Sequence, residues 1–157
     1  MKISCRNKMA VNSRKDAIII PVYKNIPSLR SITGKTIDDE VQAILASDYF
    51  NFEKEEMNAF YVPLDGKLKK VILMSVPKEL EYSSEYRALG AKAARALLDG
   101  KLYSFSIIAL EDIYNEKKDF FYTAAFIEGV LFANYNFNAL KHEEVAELDE
   151  AEIITAS

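Results

Sequence analysis

Two short stretches of this chain are almost continuously apolar, and they constrain its fold more than any other feature. Residues 16–22 read DAIIIPV, and residues 71–76 read VILMSV. A strand with one face in water alternates apolar and polar residues, whereas a run without alternation is typical of a strand covered on both faces. Both stretches are therefore predicted to be strands of a sheet that lies between two other layers.

Three further segments have the length and composition of strands. Residues 59–64 precede Asp65-Gly66-Lys67, a turn signal that joins them to the strand at 71–76 and so predicts a hairpin. Residues 104–110 form another apolar run, and Lys2–Arg6 is predicted to be a short edge strand. Lysines 67, 69 and 70 follow the turn, and we expect them to form a solvated turn.

Two helical patterns lie between these strands. In the first, Thr36 and Asp39 resemble a capping box, and four apolar residues share one helical face: Ile37, Val41, Ile44 and Leu45. The second runs from about residue 84 to Asp99, with Gly100 placed as a left-handed C-terminal cap. Its small residues predict a close approach to the sheet: Gly90, Ala93 and Ala94.

A third helix is predicted from about residue 117 to 134, and it is apolar nearly all round. The large apolar residues of this segment are Phe120, Phe121, Tyr122, Phe126, Ile127, Val130, Leu131 and Phe132. A helix without a polar face needs cover on more than one side. The sheet can bury only some of these residues, so the remainder predict an interface with another domain or subunit.

Strands that alternate with helices, together with one hairpin, predict an α/β fold with a mixed sheet flanked by helices. The 157 residues suit one domain, which we expect to fold alone. We assign residues 1–141 to that domain. Residues 142–157 are an acidic connector or the start of a strand, because acidic residues crowd them while Ile153-Ile154 is apolar.

Composition excludes several classes of protein. A net charge of −4 disfavours nucleic-acid binding, which needs a concentrated basic patch. The single cysteine, Cys5, excludes an internal disulfide and suits a reducing cytoplasm. The N-terminus lacks the apolar core of a signal peptide, and no apolar run approaches a membrane span. We therefore expect a soluble cytoplasmic protein without a membrane partner.

No catalytic, cofactor-binding or metal-binding residue is assigned. His142 is the only histidine and lies in a polar connector, where a solvated side chain is expected, and Cys5 has no histidine near it in sequence. Residues 31–36 (SITGKT) resemble the end of a P-loop but lack its first glycine, so a loop leading into a helix is favoured. The acidic run at 143–152 fails the calcium-loop pattern and is predicted to be solvated.

A set of aromatic residues near the third helix has two interpretations. It comprises Tyr122, Phe132, Tyr135 and Phe137. These residues could form a stacking platform for bases, but at helical spacing they more often belong to a core or an interface.

The order of several motifs resembles the N-terminal domain of the leucyl aminopeptidases, a family of cytosolic dinuclear-metal enzymes. Residues 16–22 resemble an early strand of the family, 59–64 with 70–76 its central hairpin, and 86–97 (YRALGAKAARAL) its Arg-x-x-Gly-x-x-Ala-Ala-Arg helix. Residues 128–141 (EGVLFANYNFNALK) resemble the end of that domain. The resemblance covers nearly the whole chain.

The resemblance implies a macro-domain-like fold and a non-catalytic role in assembly and active-site access. The hydrolytic domain, with two divalent metal ions of the zinc or manganese type, is expected outside this chain on the same polypeptide, in a homohexamer. One alternative is a free-standing macro-like module that binds a nucleotide or another small ligand. A DNA-contacting role, known for some family members, is a third and is opposed by the charge.

Overall fold

The computed structural model describes residues 1–54, 57–78, 83–115, 121–139 and 147–156. Six strands lie within them: β1 (Lys2–Arg6), β2 (Ala17–Val22), β3 (Met57–Leu64), β4 (Lys67–Ser75), β5 (Ser104–Ile108) and β6 (Glu150–Ile154). The α-helices are α1 (Arg30–Thr33), α2 (Lys35–Ala46), α3 (Ser83–Asp99), α4 (Leu110–Ile113) and α5 (Phe121–Ala139). Two 3₁₀ turns span Ala10–Asn12 and Phe52–Lys54.

The six strands form one mixed sheet in the order β1-β6-β5-β2-β4-β3. Neighbouring strands are parallel except for β3, which is antiparallel to β4. All six residues of β2 are buried, as expected of an unbroken apolar strand inside a parallel sheet. The predicted α/β class and the mixed sheet are confirmed, and a strand lies in each of the five predicted segments. The segment predicted over residues 104–110 ends as a strand at Ile108, because Leu110 begins α4.

The predicted hairpin joins β3 to β4 through Asp65 and Gly66. Both residues have positive φ, 48° and 76°, as a type I′ hairpin turn requires, and Leu64 pairs with Lys67 directly beside it. Because strand pairing begins at Lys67, the expectation of a solvated turn over lysines 67, 69 and 70 is wrong. Lys69 pairs with Val62, and the Lys70 ammonium lies 5.5 Å from the centroid of the Tyr61 ring.

Residues 150–154 form a strand inside the sheet, where β6 pairs with β1 on one side and β5 on the other. Of the two alternatives for the C-terminal segment, the strand therefore describes these residues. The predicted domain boundary at residue 141 falls outside the described residues and stays a prediction. Glu150 is partly buried and Glu152 mostly buried, and both pair with cations: Glu152 lies 3.3 Å from Arg6, and Glu150 contacts Lys15. The expectation of a fully solvated acidic run is thus wrong for these two residues.

Helices cover both faces of the sheet. On one face, α3 and α5 bury alternate strand residues such as Ile19 and Ile107. On the other, α1, α2 and the turn Ala10–Asn12 cover the opposite set, such as Ile18 and Ile20. This alternation around β2 shows why its sequence has no polar position.

Helices α3 and α5 approach each other closely because a glycine of each faces the backbone of the other. A Cβ at Gly90 would lie 2.0 Å from the Phe126 carbonyl oxygen, and one at Gly129 would lie 1.9 Å from the Arg87 carbonyl oxygen. The prediction that Gly90 permits approach to the sheet is therefore wrong, since its neighbour is α5. Ala93 and Ala94 lie in the core with the sheet, as expected.

Both predicted helix caps differ from those observed. Gly34, with φ of 87°, is the N-cap of α2 and makes no side-chain cap bond, so Thr36 and Asp39 do not form a capping box. At the end of α3, Lys101 rather than Gly100 adopts the left-handed conformation, with φ of 58°. The Leu102 N–H donates to the Leu97 carbonyl at 2.9 Å, which is the six-to-one bond of a Schellman motif centred one residue later than predicted.

Candidate functional site

The carboxyl ends of the parallel strands are where open α/β sheets usually bind ligands, at the point where the connections diverge. Here that point lies between β2 and β5, because the chain leaves β2 towards β4 and leaves β5 towards β6. Tyr23 follows β2 directly, and Tyr114 follows α4, which begins two residues after β5. These two tyrosines stand at the switch point.

A cluster of four tyrosines fills this crevice. The Tyr23 and Tyr114 rings stack with centroids 5.7 Å apart and planes 5° from parallel. The Tyr114 hydroxyl donates to the Pro77 carbonyl and lies 3.3 Å from the hydroxyl of Tyr86, which is fully buried on α3. The Tyr86 ring also packs against Tyr122 of α5, with centroids 5.6 Å apart. Side chains of the protein itself therefore occupy the usual ligand position.

The tyrosine hydroxyls are held in their protonated form. Burial raises the pKa of Tyr86 to about 12. Burial, followed by the hydrogen bond with Tyr86, also raises the pKa of Tyr114. A buried phenol that keeps its proton at neutral pH acts as a hydrogen-bond donor and not as a general base. The cluster therefore links β4, α3 and α4 at this edge of the sheet.

A buried carboxylate, Glu111, connects α4 to the start of α5. It accepts hydrogen bonds from the backbone N–H groups of Tyr122 at 2.9 Å and Thr123 at 3.1 Å. The Thr123 hydroxyl donates to the same carboxylate at 2.5 Å and accepts from the Leu110 N–H at 2.9 Å. Glu111 thus satisfies free N–H groups near the positive end of a helix dipole. Sequence reasoning missed it because eleven residues separate Glu111 from Tyr122.

The residues considered from the sequence as candidates for catalysis or phosphate binding are not brought together by the fold. Cys5 is exposed on the edge strand β1, and His142 lies outside the described residues. Residues 31–36 end α1 and begin α2, and Lys35 pairs with Asp39 at 2.6 Å. Within the described ranges, no group of three or more His, Cys, Asp or Glu residues is placed to hold a metal ion. No helix among them is both long and apolar enough to cross a membrane.

The helix α5 has an apolar outer face, which we define as Phe121, Ala124, Glu128, Leu131, Phe132 and Tyr135. Exposed fractions are 59% for Phe121, 38% for Leu131, 67% for Phe132 and 73% for Tyr135. The opposite face, with Phe126 and Val130, is fully buried against α3 and the sheet. The prediction that one chain cannot bury all the large apolar residues of this helix is confirmed. Whether the exposed residues form an interface stays a prediction.

One polar interaction crosses the α5 outer face. The Glu128 carboxylate accepts from Arg87 Nε of α3 at 2.7 Å, and both side chains are about half exposed. The predicted aromatic set is divided, because Tyr122 packs on Tyr86 whereas Phe132 and Tyr135 point to the outer face. The side chain of Phe137 lies outside the described part.

Comparisons with known proteins identify aminopeptidases as relatives in both sequence and fold. The sequence matches no protein-family model. A probable cytosol aminopeptidase of Chlamydia caviae is 27% identical over 125 residues, which cover 78% of this chain and 25% of that protein. A mutant leucine aminopeptidase of tomato superimposes with a TM-score of 0.66 at 16% identity, over 100% of this chain and 33% of that one. The chain thus spans a quarter to a third of the aminopeptidases that it matches.

Two further solved structures share the fold. The Trypanosoma brucei macrodomain in complex with ADP-ribose gives a TM-score of 0.62 at 14% identity, over 99% of this chain and 64% of that one. An alphavirus P23pro-zbd structure gives 0.61 at 12% identity, over 99% of this chain and 22% of that one. The predicted macro-domain-like fold is therefore confirmed. In both sequence and fold, the chain resembles the N-terminal domain of the leucyl aminopeptidase family.

Proposed function

We propose that this chain is the non-catalytic N-terminal domain of a cytoplasmic, metal-dependent leucyl aminopeptidase. Its role is to assist oligomer assembly and access to the active site of an enzyme that releases N-terminal amino acids from peptides. The observation that carries the proposal is the tomato leucine aminopeptidase match, which takes in the whole of this chain but only 33% of that protein. The Chlamydia caviae relative supports the same assignment from sequence.

In this proposal, hydrolysis belongs to a further domain of the same polypeptide. The family resemblance implies that this domain holds two divalent metal ions of the zinc or manganese type. A cocatalytic ion pair would polarise the peptide carbonyl and activate a water molecule. This chain supplies a rigid sheet and an exposed helix face against which that domain can pack.

The α5 outer face is the proposed contact surface for the hydrolytic domain. Three aromatic rings and one leucine are exposed along a single stripe, and contiguous apolar surface of this kind usually marks a protein contact. The Glu128–Arg87 pair within the stripe adds a polar contact that fixes orientation more than affinity. A neighbouring subunit of the proposed hexamer is the alternative occupant.

The proposal is tested on the natural protein. The reading frame should continue for several hundred residues past Ser157. In the protein that this frame encodes, Phe132→Ser combined with Tyr135→Ser should lower the oligomer mass or the hydrolytic rate. Tyr49→Ser with Leu68→Ser is the matched control, because both side chains are strongly exposed elsewhere. A frame that ends near Ser157 contradicts the assignment. Equal effects of the two double variants contradict the role of α5.

The second candidate is a free-standing macro-like module that binds a nucleotide or another small ligand. The observation that favours it is the fold shared with the Trypanosoma brucei macrodomain, which is in complex with ADP-ribose. The tyrosine cluster argues against it, because stacked Tyr23 and Tyr114 close the crevice at the strand ends. The glycines are also widely separated, whereas a diphosphate relies on backbone N–H groups from glycine-rich turns.

Calorimetric titration with ADP-ribose separates the two candidates. We expect weak or undetectable binding at the crevice between β2 and β5, because Tyr114 would have to leave its stacked position to admit the ligand. Micromolar affinity with amide resonance shifts at Tyr23 and Tyr114 would reverse the ranking and favour the binding module.

A further inference from the structure

A basic groove lies between the loop that joins β1 to β2 and the β3–β4 hairpin. Its volume is about 1090 Å³, and its charged lining residues are Arg6, Lys8, Arg14, Asp65, Lys67 and Lys69. Five cations thus face one carboxylate in a chain whose net charge is −4. The groove is separate from the tyrosine cluster and from the α5 outer face.

Two of the cations are fixed in place. Lys69 Nζ donates to the backbone carbonyls of Ser13 at 2.6 Å and Lys15 at 2.8 Å. Arg6 Nη1 donates to the Asn12 carbonyl at 2.9 Å, and Arg6 Nη2 lies 3.3 Å from the Glu152 carboxylate. The loop over the groove is therefore tied to β1 and β4 by positively charged side chains.

Positive charges predominate among the lining residues of the groove, and the carboxylates of Asp16 and Glu152 offset part of the charge near Lys69. Burial, followed by the nearby Arg6 charge, lowers the pKa of Lys69 below its usual value. Buried Arg6 Nε meets no hydrogen-bond acceptor among the residues that the structure describes. Because like charges repel one another, the cations of the groove that have no carboxylate partner would be stabilised by a bound anion.

The remaining three cations are available to a ligand. Lys8, Arg14 and Lys67 are exposed, and none of them forms an ion pair within the described part of the chain. Exposed side chains of this type can move to meet a bound anion without disturbing the fold.

We propose that the basic groove binds a ligand that carries two or more closely spaced phosphate groups. A phosphate ester carries up to about two negative charges at neutral pH, whereas a carboxylate carries one. Dense charge of this kind suits several cations gathered in one open groove. Arginine can bind phosphate oxygens in pairs, and lysine binds them as a point charge.

The test uses inorganic tripolyphosphate, titrated calorimetrically at low ionic strength into the whole chain and two triple variants. The groove variant carries Lys8→Gln, Arg14→Gln and Lys67→Gln. The control variant carries Lys24→Gln, Arg30→Gln and Arg95→Gln, which are exposed cations that do not line the groove. Each variant loses three positive charges, so both have the same net charge.

We expect the control variant to bind like the parent chain and the groove variant to lose at least about tenfold in affinity, a modest loss for each of three exposed charge contacts. No binding by the parent chain, or equal losses in both variants, would overturn the proposal. Equally tight, groove-dependent binding of a glutamate-rich peptide would overturn the choice of phosphate.

A short single-stranded oligonucleotide identifies the source of the phosphates. Groove-dependent binding that is tighter than that of tripolyphosphate supports a nucleic-acid backbone, and weaker binding supports a free oligophosphate. Both results retain the phosphate chemistry. In either case, amide resonance shifts should concentrate at residues 6–14 and 64–69, and shifts centred on the tyrosine cluster would contradict the location.

Discussion

Gly90 and Gly129 set the distance between α3 and α5 at the scale of single residues. At each glycine, a backbone carbonyl of the opposite helix occupies the space that a Cβ atom would fill. The sequence indicated that Gly90 allows its helix to make a close contact, because it lies on one helical face with other small residues. It did not identify Gly129 as its partner, since nearly forty residues separate them and only the packed helices bring them together.

Substitution of either glycine should destabilise the fold severely. Because a Cβ would overlap a fixed backbone oxygen, Gly90→Ala and Gly129→Ala should each lower the free energy of unfolding by about 3 kcal/mol. Gly100→Ala is the control, since its nearest contact would be an ordinary 3.4 Å. Chemical denaturation measures all three, and near-wild-type stability of Gly90→Ala would refute the packing described.

The buried tyrosines should make stability depend on pH in alkali. An unfolded tyrosine titrates near pH 10, and the pKa of folded Tyr86 is about 12, so the folded state binds more protons between these values. The free energy of unfolding should be unaffected below about pH 10 and should fall as the pH rises towards 12. Tyr86→Phe with Tyr114→Phe should flatten this fall, whereas exposed Tyr49→Phe should not. Denaturation at about pH 9 and pH 11 compares them, and an unchanged slope in the double variant would exclude the cluster as its source.

Elements with a strong apolar pattern could be predicted, and elements that depend on distant contacts could not. The strands β2 and β4 were predicted from runs of apolar residues, and α5 was predicted from a helical segment with too many apolar residues to bury on one side. The four-residue helices α1 and α4 have too few residues for a periodic pattern. The basic groove was missed because its cations come from residues 6–14 and 67–69, which meet only once the sheet has formed.

The junction of α4 and α5 should depend on the Glu111 carboxylate. Glu111→Ala leaves the N–H groups of Tyr122 and Thr123 and the Thr123 hydroxyl without their acceptor, so it should cost about 2 kcal/mol or more. Thr123→Ser retains the hydroxyl and is the matched control. Denaturant titration measures both, and equal stabilities would show that the junction does not rely on this carboxylate.

The exposed side of α5 should control self-association of this chain. Phe132 and Tyr135 are largely exposed, so their replacement by serine should lower dimer formation without lowering the melting temperature. Tyr49→Ser with Leu68→Ser should leave association unchanged. Light scattering over a range of concentrations gives the mass. Association that is identical in all three proteins would exclude α5 as the contact.

At the scale of the whole molecule, one sheet carries three surfaces with different chemistry. Tyrosines fill the crevice between β2 and β5, α5 presents an apolar face, and the loop after β1 forms a basic groove with the hairpin. A domain with its usual ligand crevice filled and an apolar helix face open suits a role in assembly. The fold and the family resemblance followed from the order of sequence motifs, whereas the filled crevice required the structure, because its tyrosines lie on separate elements.

The most direct test of the proposed function is hydrolysis of leucine p-nitroanilide in the presence of manganese or zinc. The assay compares this chain alone with the full product of its natural reading frame at equal molar concentration. We expect turnover by the full product and none by this chain. Turnover that copurifies with residues 1–157 through successive columns, or a full product without activity towards any aminoacyl substrate, would contradict it.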